Sequence, residues 1–142
     1  MKTITIFLLL FMPVTLLAPS FSVLYIEKAP PPIEISDYED IWRAVIWVES
    51  KGNPLAWNNV GENSKGVAQI SWAKVQDFNK ATGSNLVHDD VFNPKISRDI
   101  FLWHMEQYGV NSIELGIRKW NGAGLKAEQY KDRVLTVLRG KI

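Results

Sequence analysis

The chain contains no cysteine, so it can form no disulfide and carry no lipid on a cysteine. It has only two histidines, His88 and His104, and neither has further donors at the spacing of a metal site, so we expect no metal. A glycine-rich phosphate loop and a nucleophile-elbow motif are also missing from the sequence. We therefore expect no cofactor, and we expect any reaction to use amino-acid side chains alone.

The sequence also lacks an excess of either charge, with 16 lysines and arginines against 15 aspartates and glutamates. Lys2 is the only charged residue before Glu27, so the chain without residues 1–22 has a formal net charge of 0. Such a balance gives no general attraction to nucleic acid or to anionic lipid. We predict no nucleic-acid partner, membrane contact only through the N-terminal segment if it is retained, and a monomer.

Residues 1–22 differ in composition from the rest of the chain. They begin with one lysine, continue as a nearly unbroken apolar run, and end in small residues up to Ser22. This order is typical of a secretory signal peptide. An uncleaved membrane anchor is the alternative, because the apolar run to Ile26 is nearly long enough to span a bilayer, although it contains two prolines. We predict export to the periplasm or the cell envelope, or secretion.

The remaining chain divides into a proline-rich spacer, residues 23–35, and a folded domain, residues 36–142. In the domain, polar caps indicate helix starts and glycines indicate helix ends: starts at Ser36, Ser71, Asn93 and Ser112, ends at Gly52, Gly83, Gly109 and Gly122. Apolar residues from Ala127 to Leu138 indicate a fifth helix, and no segment sustains strand alternation. The sequence predicts a mostly α-helical single domain of about five helices, with at most a short hairpin.

Glu49 lies where the apolar face of the first predicted helix ends. That face is formed by Tyr38, Ile41, Trp42 and Val45. Apolar surroundings and the negative C-terminal end of a helix both disfavour an ionised carboxylate, so we expect a raised pKa for Glu49. A carboxylic acid that stays protonated near neutral pH can donate a proton to a glycosidic oxygen. Position alone leaves a second interpretation open, a glutamate frayed into solvent at the end of a helix.

Several motifs follow Glu49 in a defined order. They are Glu49-Ser50, Gly52-Asn53-Pro54, Gly66-Val67-Ala68-Gln69-Ile70, Asp90-Val91-Phe92-Asn93-Pro94, Trp120-Asn121-Gly122-Ala123-Gly124, and Tyr130 with Val134. The ordered set resembles the soluble lytic transglycosylase domain of the goose-type lysozyme superfamily, glycoside hydrolase family 23, over roughly residues 37–139. The resemblance implies a lysozyme-like fold, peptidoglycan glycan strands as the substrate, and cleavage of the MurNAc-(β1,4)-GlcNAc bond.

The resemblance also implies roles for individual residues around the first three motifs. Glu49 matches the single essential acid of the family, and Ser50 matches a serine that helps to hold the sugar. Gln69 matches a polar contact to substrate near the cleavage point. Gly66 fits a loop in which a sugar approaches the backbone closely, and a simple turn glycine is the alternative.

Three further positions match the C-terminal part of the family pattern. Asn121 matches the asparagine of an aromatic-Asn-Ala-Gly motif, and Trp120 stands where tyrosine is usual. We expect Trp120 to lack the hydroxyl contact of that tyrosine and to stack on a sugar instead. Tyr130 matches a tyrosine near the acid in the family, although its helical spacing also fits a core residue.

Because the family has one essential carboxylate, the resemblance implies that Glu49 acts first as acid and then as base, and that the products carry 1,6-anhydro-MurNAc ends. Glycosidases more commonly use two carboxylates. Glu62, in the loop after the first predicted helix, is the candidate second carboxylate, and it would position water in a hydrolytic goose-type muramidase. A solvated loop glutamate is the competing interpretation. A non-catalytic glycan-binding module that kept the cleft is the third alternative for the protein as a whole.

Overall fold

The computed structural model describes residues 38–140. The predicted signal peptide (1–22), the spacer (23–35) and the capping residue Ser36 lie outside the described residues. The helices are α1 (Tyr38–Ser50), α2 (Trp72–Thr82), α3 (Pro94–Tyr108), α4 (Ile113–Trp120) and α5 (Leu125–Leu138), with one short 3-10 helix at His88–Phe92. Strands β1 (Trp57–Asn58) and β2 (Ser64–Lys65) pair antiparallel in the loop after α1. The prediction of a mostly helical region with five helices and one short hairpin is confirmed.

Local sequence signals explain where most of these helices begin and end. The Asn93 side chain accepts a hydrogen bond from Lys95 N at 3.0 Å, and Pro94 occupies the first turn of α3. Ser112 caps α4 in the same way. Gly83 ends α2 in the left-handed conformation, with φ 74°. No helix within residues 38–140 is long and apolar enough to cross a membrane.

The 3-10 helix was not predicted from the sequence. Asp89 and Asp90 lie in its first turn. Asp90 accepts a hydrogen bond from the backbone N–H of Val87 at 2.7 Å, so its carboxylate closes the turn on itself. The turn packs beside α3 and β2, and it supplies the backbone on which the loop before α2 rests.

Aromatic side chains join the helices at the centre of the core. Phe101 on α3 lies 5.3 Å, between ring centroids, from both Trp42 and Trp120. His104 packs edge-on against Trp120 at 5.1 Å, and its Nε2 lies 3.1 Å from Gly116 O. Burial lowers the pKa of His104 to about 4, so this histidine is a neutral core residue at physiological pH. The cluster fixes α1, α3 and α4 relative to one another.

Gly66 anchors the loop that connects the hairpin to α2. It is buried, has φ 76°, and donates a hydrogen bond to Ala56 O at 2.9 Å. A Cβ at this position would collide with the carbonyl group of Val91 in the 3-10 helix. The protein's own backbone thus approaches Gly66 closely. Gly66 is required for packing the loop against the turn.

Replacing Gly66 tests this packing. Gly66→Ala should lower the free energy of unfolding by about 3 kcal/mol, because left-handed strain adds to a clash with rigid backbone. Gly61→Ala is the matched control, since Gly61 also has φ 70° but nothing lies within 4 Å of its added Cβ. That variant should lose about 1 kcal/mol from strain alone. Urea unfolding measures both, and equal losses would contradict the proposed clash.

Candidate active site

Glu49 lies in the last turn of α1 and lines a cavity of about 240 Å³. The other lining residues are polar apart from one indole: Asn58, Glu62, Ser64, Gln69, Lys74, Trp120 and Asn121. Burial raises the pKa of Glu49 above its usual value of 4.5. The direction agrees with the sequence expectation. Its largest cause is removal from water.

Three groups around Glu49 act against this rise. A contact with the Tyr130 hydroxyl lowers the Glu49 pKa most, followed by the charges of Lys74 and Arg133. Tyr130 is fully buried, and its hydroxyl makes no hydrogen bond of regular geometry within residues 38–140, so the contact with Glu49 is a loose one. Burial, followed by the neighbouring Glu49, raises the pKa of Tyr130 well above its usual value. Tyr130 therefore remains a protonated phenol, whose O–H can donate a hydrogen bond towards the carboxylate.

Lys74 is the functional candidate that our sequence analysis missed. Burial lowers its pKa, and the charges of Glu62 and Glu49 act in the opposite direction. Its ammonium lies 5.0 Å from the ring centroid of Trp120, and it forms no ion pair within the described part of the chain. A signal was present, because Lys74 is adjacent to Val75 and four residues before Phe78, on the inward face of α2.

Ser50 and Gln69 hold the loop before α2 against the end of α1. The Ser50 hydroxyl donates to Val67 O at 2.7 Å. The Gln69 amide nitrogen donates to Gly66 O at 2.9 Å and to Ala56 O at 3.2 Å. Because both partners are carbonyls, the amide orientation is determined and the Gln69 side-chain oxygen is left as an acceptor. Gln69 thus lines the cavity with an acceptor, whereas Ser50 serves the scaffold and is not part of that lining.

The hairpin register determines which of its side chains reach the cavity. Asn58 pairs with Ser64, and cross-strand partners share one face of a sheet. Both line the cavity, as does Glu62 from the loop between the strands. The structure therefore brings Glu62 and Glu49 into the same cavity. The other pair, Trp57 and Lys65, belongs to the opposite face, where Lys65 forms an ion pair with Asp89 in the 3-10 helix.

Trp120 does not offer an open ring face to a sugar. Its exposed fraction is 1%, because Phe101 and His104 pack against it and the Lys74 ammonium lies over the ring. The stacking that we expected from the sequence is therefore wrong for this arrangement, in which Trp120 serves as a wall and a core residue. Asn121, the next residue, is exposed and lines the cavity.

Within residues 38–140 no group of three histidine, cysteine or acidic side chains could hold a metal ion. Comparison of the chain with protein-family models, with curated protein sequences and with solved structures found no match. The resemblance to the transglycosylases therefore rests on the ordered sequence motifs. The structure adds that Glu49, partly buried, lies among polar groups in a cleft.

The influence of Lys74 on Glu49 can be measured directly. Lys74→Met removes a positive charge near the carboxyl and should raise the Glu49 pKa further, as measured by NMR titration of the carboxyl carbon. Lys74→Arg should preserve the original titration. Lys51→Met is the matched control, because Lys51 is close in sequence but is not among the charges acting on Glu49. An unchanged or lowered Glu49 pKa in a folded Lys74→Met variant would refute this account.

Proposed function

We propose that this protein is an exported peptidoglycan lytic transglycosylase with a lysozyme-like fold. One observation carries the proposal: the partly buried carboxyl of Glu49 opens into a polar cavity at the end of α1, where removal from water raises its pKa. The ordered motif resemblance supports the choice of substrate. The signal-like N-terminal segment supports a location in the periplasm or cell envelope, or secretion.

In the first step, protonated Glu49 donates its proton to the oxygen that links MurNAc to GlcNAc. The glycosidic bond breaks, and positive charge develops at the anomeric carbon of the MurNAc residue. The N-acetyl group of the substrate can stabilise this charge, so the protein needs no nucleophile of its own. The Gln69 oxygen and the Asn121 amide are available for hydrogen bonds that hold the sugar, since both groups line the cavity.

In the second step, the Glu49 carboxylate accepts the proton of the C6 hydroxyl of the same MurNAc residue. The hydroxyl oxygen attacks the anomeric carbon and closes the 1,6-anhydro ring. No water is consumed, and Glu49 returns to its protonated form. Lys74, Arg133 and the Tyr130 hydroxyl favour the carboxylate, which is the form present between the two steps.

A hydrolytic muramidase is the second candidate, and the position of Glu62 favours it. Glu62 and Glu49 line one cavity, so a water molecule between them could be activated by Glu62 in an inverting reaction. Lys74 lies near both carboxylates, and Glu62 is the foremost charge acting on it. The motif resemblance, which matches Glu49 to a single essential acid, is our reason for keeping the transglycosylase as the first candidate.

Replacing the acid tests the main assignment. Glu49→Gln should lower the rate of sacculus lysis by roughly a hundredfold or more, because the amide keeps the shape but cannot donate the proton. Folding and glycan binding should be preserved. Glu106→Gln, an exposed position on α3, is the control for loss of one acidic charge. Lysis by Glu49→Gln near the wild-type rate would remove Glu49 from the mechanism.

The two enzyme mechanisms differ in their products and in their dependence on Glu62. We expect the wild type to release anhydro-muropeptides and Glu62→Ala to remain within a few-fold of its rate. Mass spectrometry of digested sacculi distinguishes anhydro products from hydrolysis products, which are heavier by one water. Reducing-end products together with a large fall in turnover for Glu62→Ala would establish the muramidase instead.

A further inference from the structure

A second cavity, of about 570 Å³, runs along one face of α5 and is lined by Asn121, Lys126, Gln129 and Arg133. Lys126, Gln129 and Arg133 recur at intervals of three and four residues, so their side chains lie in one row on the helix. Two of the four lining residues are cations and none is acidic. We call this cavity the α5 groove.

The cations of the α5 groove have no acidic partner. Within residues 38–140, neither Lys126 nor Arg133 forms an ion pair. The acids of α5 are engaged elsewhere: Glu128 pairs with Arg118 at 3.3 Å and with Lys131 at 2.9 Å. Arg133 lies over the ring of Tyr130, at 5.6 Å from the centroid. In a chain of nearly balanced charge, the groove thus holds two cations that form no ion pair within the described residues.

The α5 groove adjoins the cavity at Glu49. Asn121 lines both cavities, so the two share a wall. Arg133 is close enough for its charge to lower the pKa of Glu49. A sugar that presents its glycosidic oxygen to Glu49 would therefore hold its substituents near Lys126 and Arg133. Carboxylates are the groups that such cations would bind, Arg133 through a planar two-point contact.

We propose that the α5 groove binds carboxylates on substituents of the sugar held at Glu49. The inference rests on the proposed function, because it takes peptidoglycan as the ligand. Peptidoglycan supplies such a carboxylate from two sources. In a MurNAc residue without peptide it is the lactyl carboxylate; where the lactyl group is joined to a peptide through an amide, the carboxylates are those of the peptide. The groove thereby distinguishes the acidic glycan from an uncharged glycan of the same backbone, such as chitin.

The test measures binding in the Glu49→Gln background, which prevents turnover and removes any effect through the Glu49 pKa. Lys126→Gln with Arg133→Gln is compared with Lys80→Gln with Arg139→Gln, which neutralises two exposed cations outside the groove. The probes are peptide-bearing glycan tetrasaccharides, the same glycans after amidase treatment, and chitin tetrasaccharide. Affinities are measured by calorimetry at low and at high salt.

We expect the groove variant to bind at least one acidic probe about tenfold more weakly at low salt, with a smaller difference at high salt. Chitin binding should be unchanged. If only the peptide-bearing probe loses affinity, the groove binds the peptide carboxylates. If the amidase-treated probe loses affinity, the groove binds the lactyl carboxylate. Equal affinity of groove and control variants for every probe, or an equal loss for chitin, would overturn the proposal.

The outcome is separable from the proposed function. If the wild type forms anhydro products but the groove and control variants bind every probe equally well, only the proposal for the α5 groove is refuted. Discrimination between acidic and uncharged glycans without anhydro products would refute the transglycosylase reaction and leave the groove as a glycan-binding site.

Discussion

Burial of one carboxyl group, that of Glu49, is the constraint on which the rest of the site depends. The apolar face of α1 continues into the core at Ile41 and Val45, and the acid is carried by the same helix to the border between that core and a polar cavity. Removal from water raises the Glu49 pKa, while Tyr130, Lys74 and Arg133 limit the rise. The surroundings thus disfavour a permanently ionised group and still provide stabilisation for a transient carboxylate.

The loop between α1 and α2 maintains this arrangement through contacts with backbone atoms. Ser50 tethers Val67, Gln69 tethers Gly66, and Gly66 packs against Val91. Ser97 on α3 holds the same Val91 carbonyl at 2.6 Å. The contacts of Ser50 with Val67 and of Gly66 with Val91 join segments that are distant in sequence, so the cavity wall depends on packing of the loop against α1 and the 3-10 helix. Residues that a motif marks as substrate contacts can therefore have a scaffolding role as well.

The sequence was sufficient for most of the fold because the helix boundaries are local events. Asn93, Ser112 and Gly83 make their own caps, and the apolar stripe of α1 predicts which face is buried. The 3-10 helix was not predicted, because its aspartates are also typical of residues at the start of an α-helix. The burial of Trp120 was not predicted either, because whether an aromatic ring faces a sugar or the core depends on Phe101 and His104, which approach it from another helix.

The site was predictable to a similar degree, and for a related reason. Glu49, Gln69 and Asn121 share motifs with neighbouring residues, and they meet in one cavity. Lys74 carries no motif. Its spacing on α2 indicates an inward-facing side chain, but only the tertiary arrangement places it near Glu49, Glu62 and Trp120. The charge of Lys74 acts on Glu49, whereas Glu62 is not among the charges that shift the Glu49 pKa. Through Lys74, helix α2 therefore influences the acid at the end of α1.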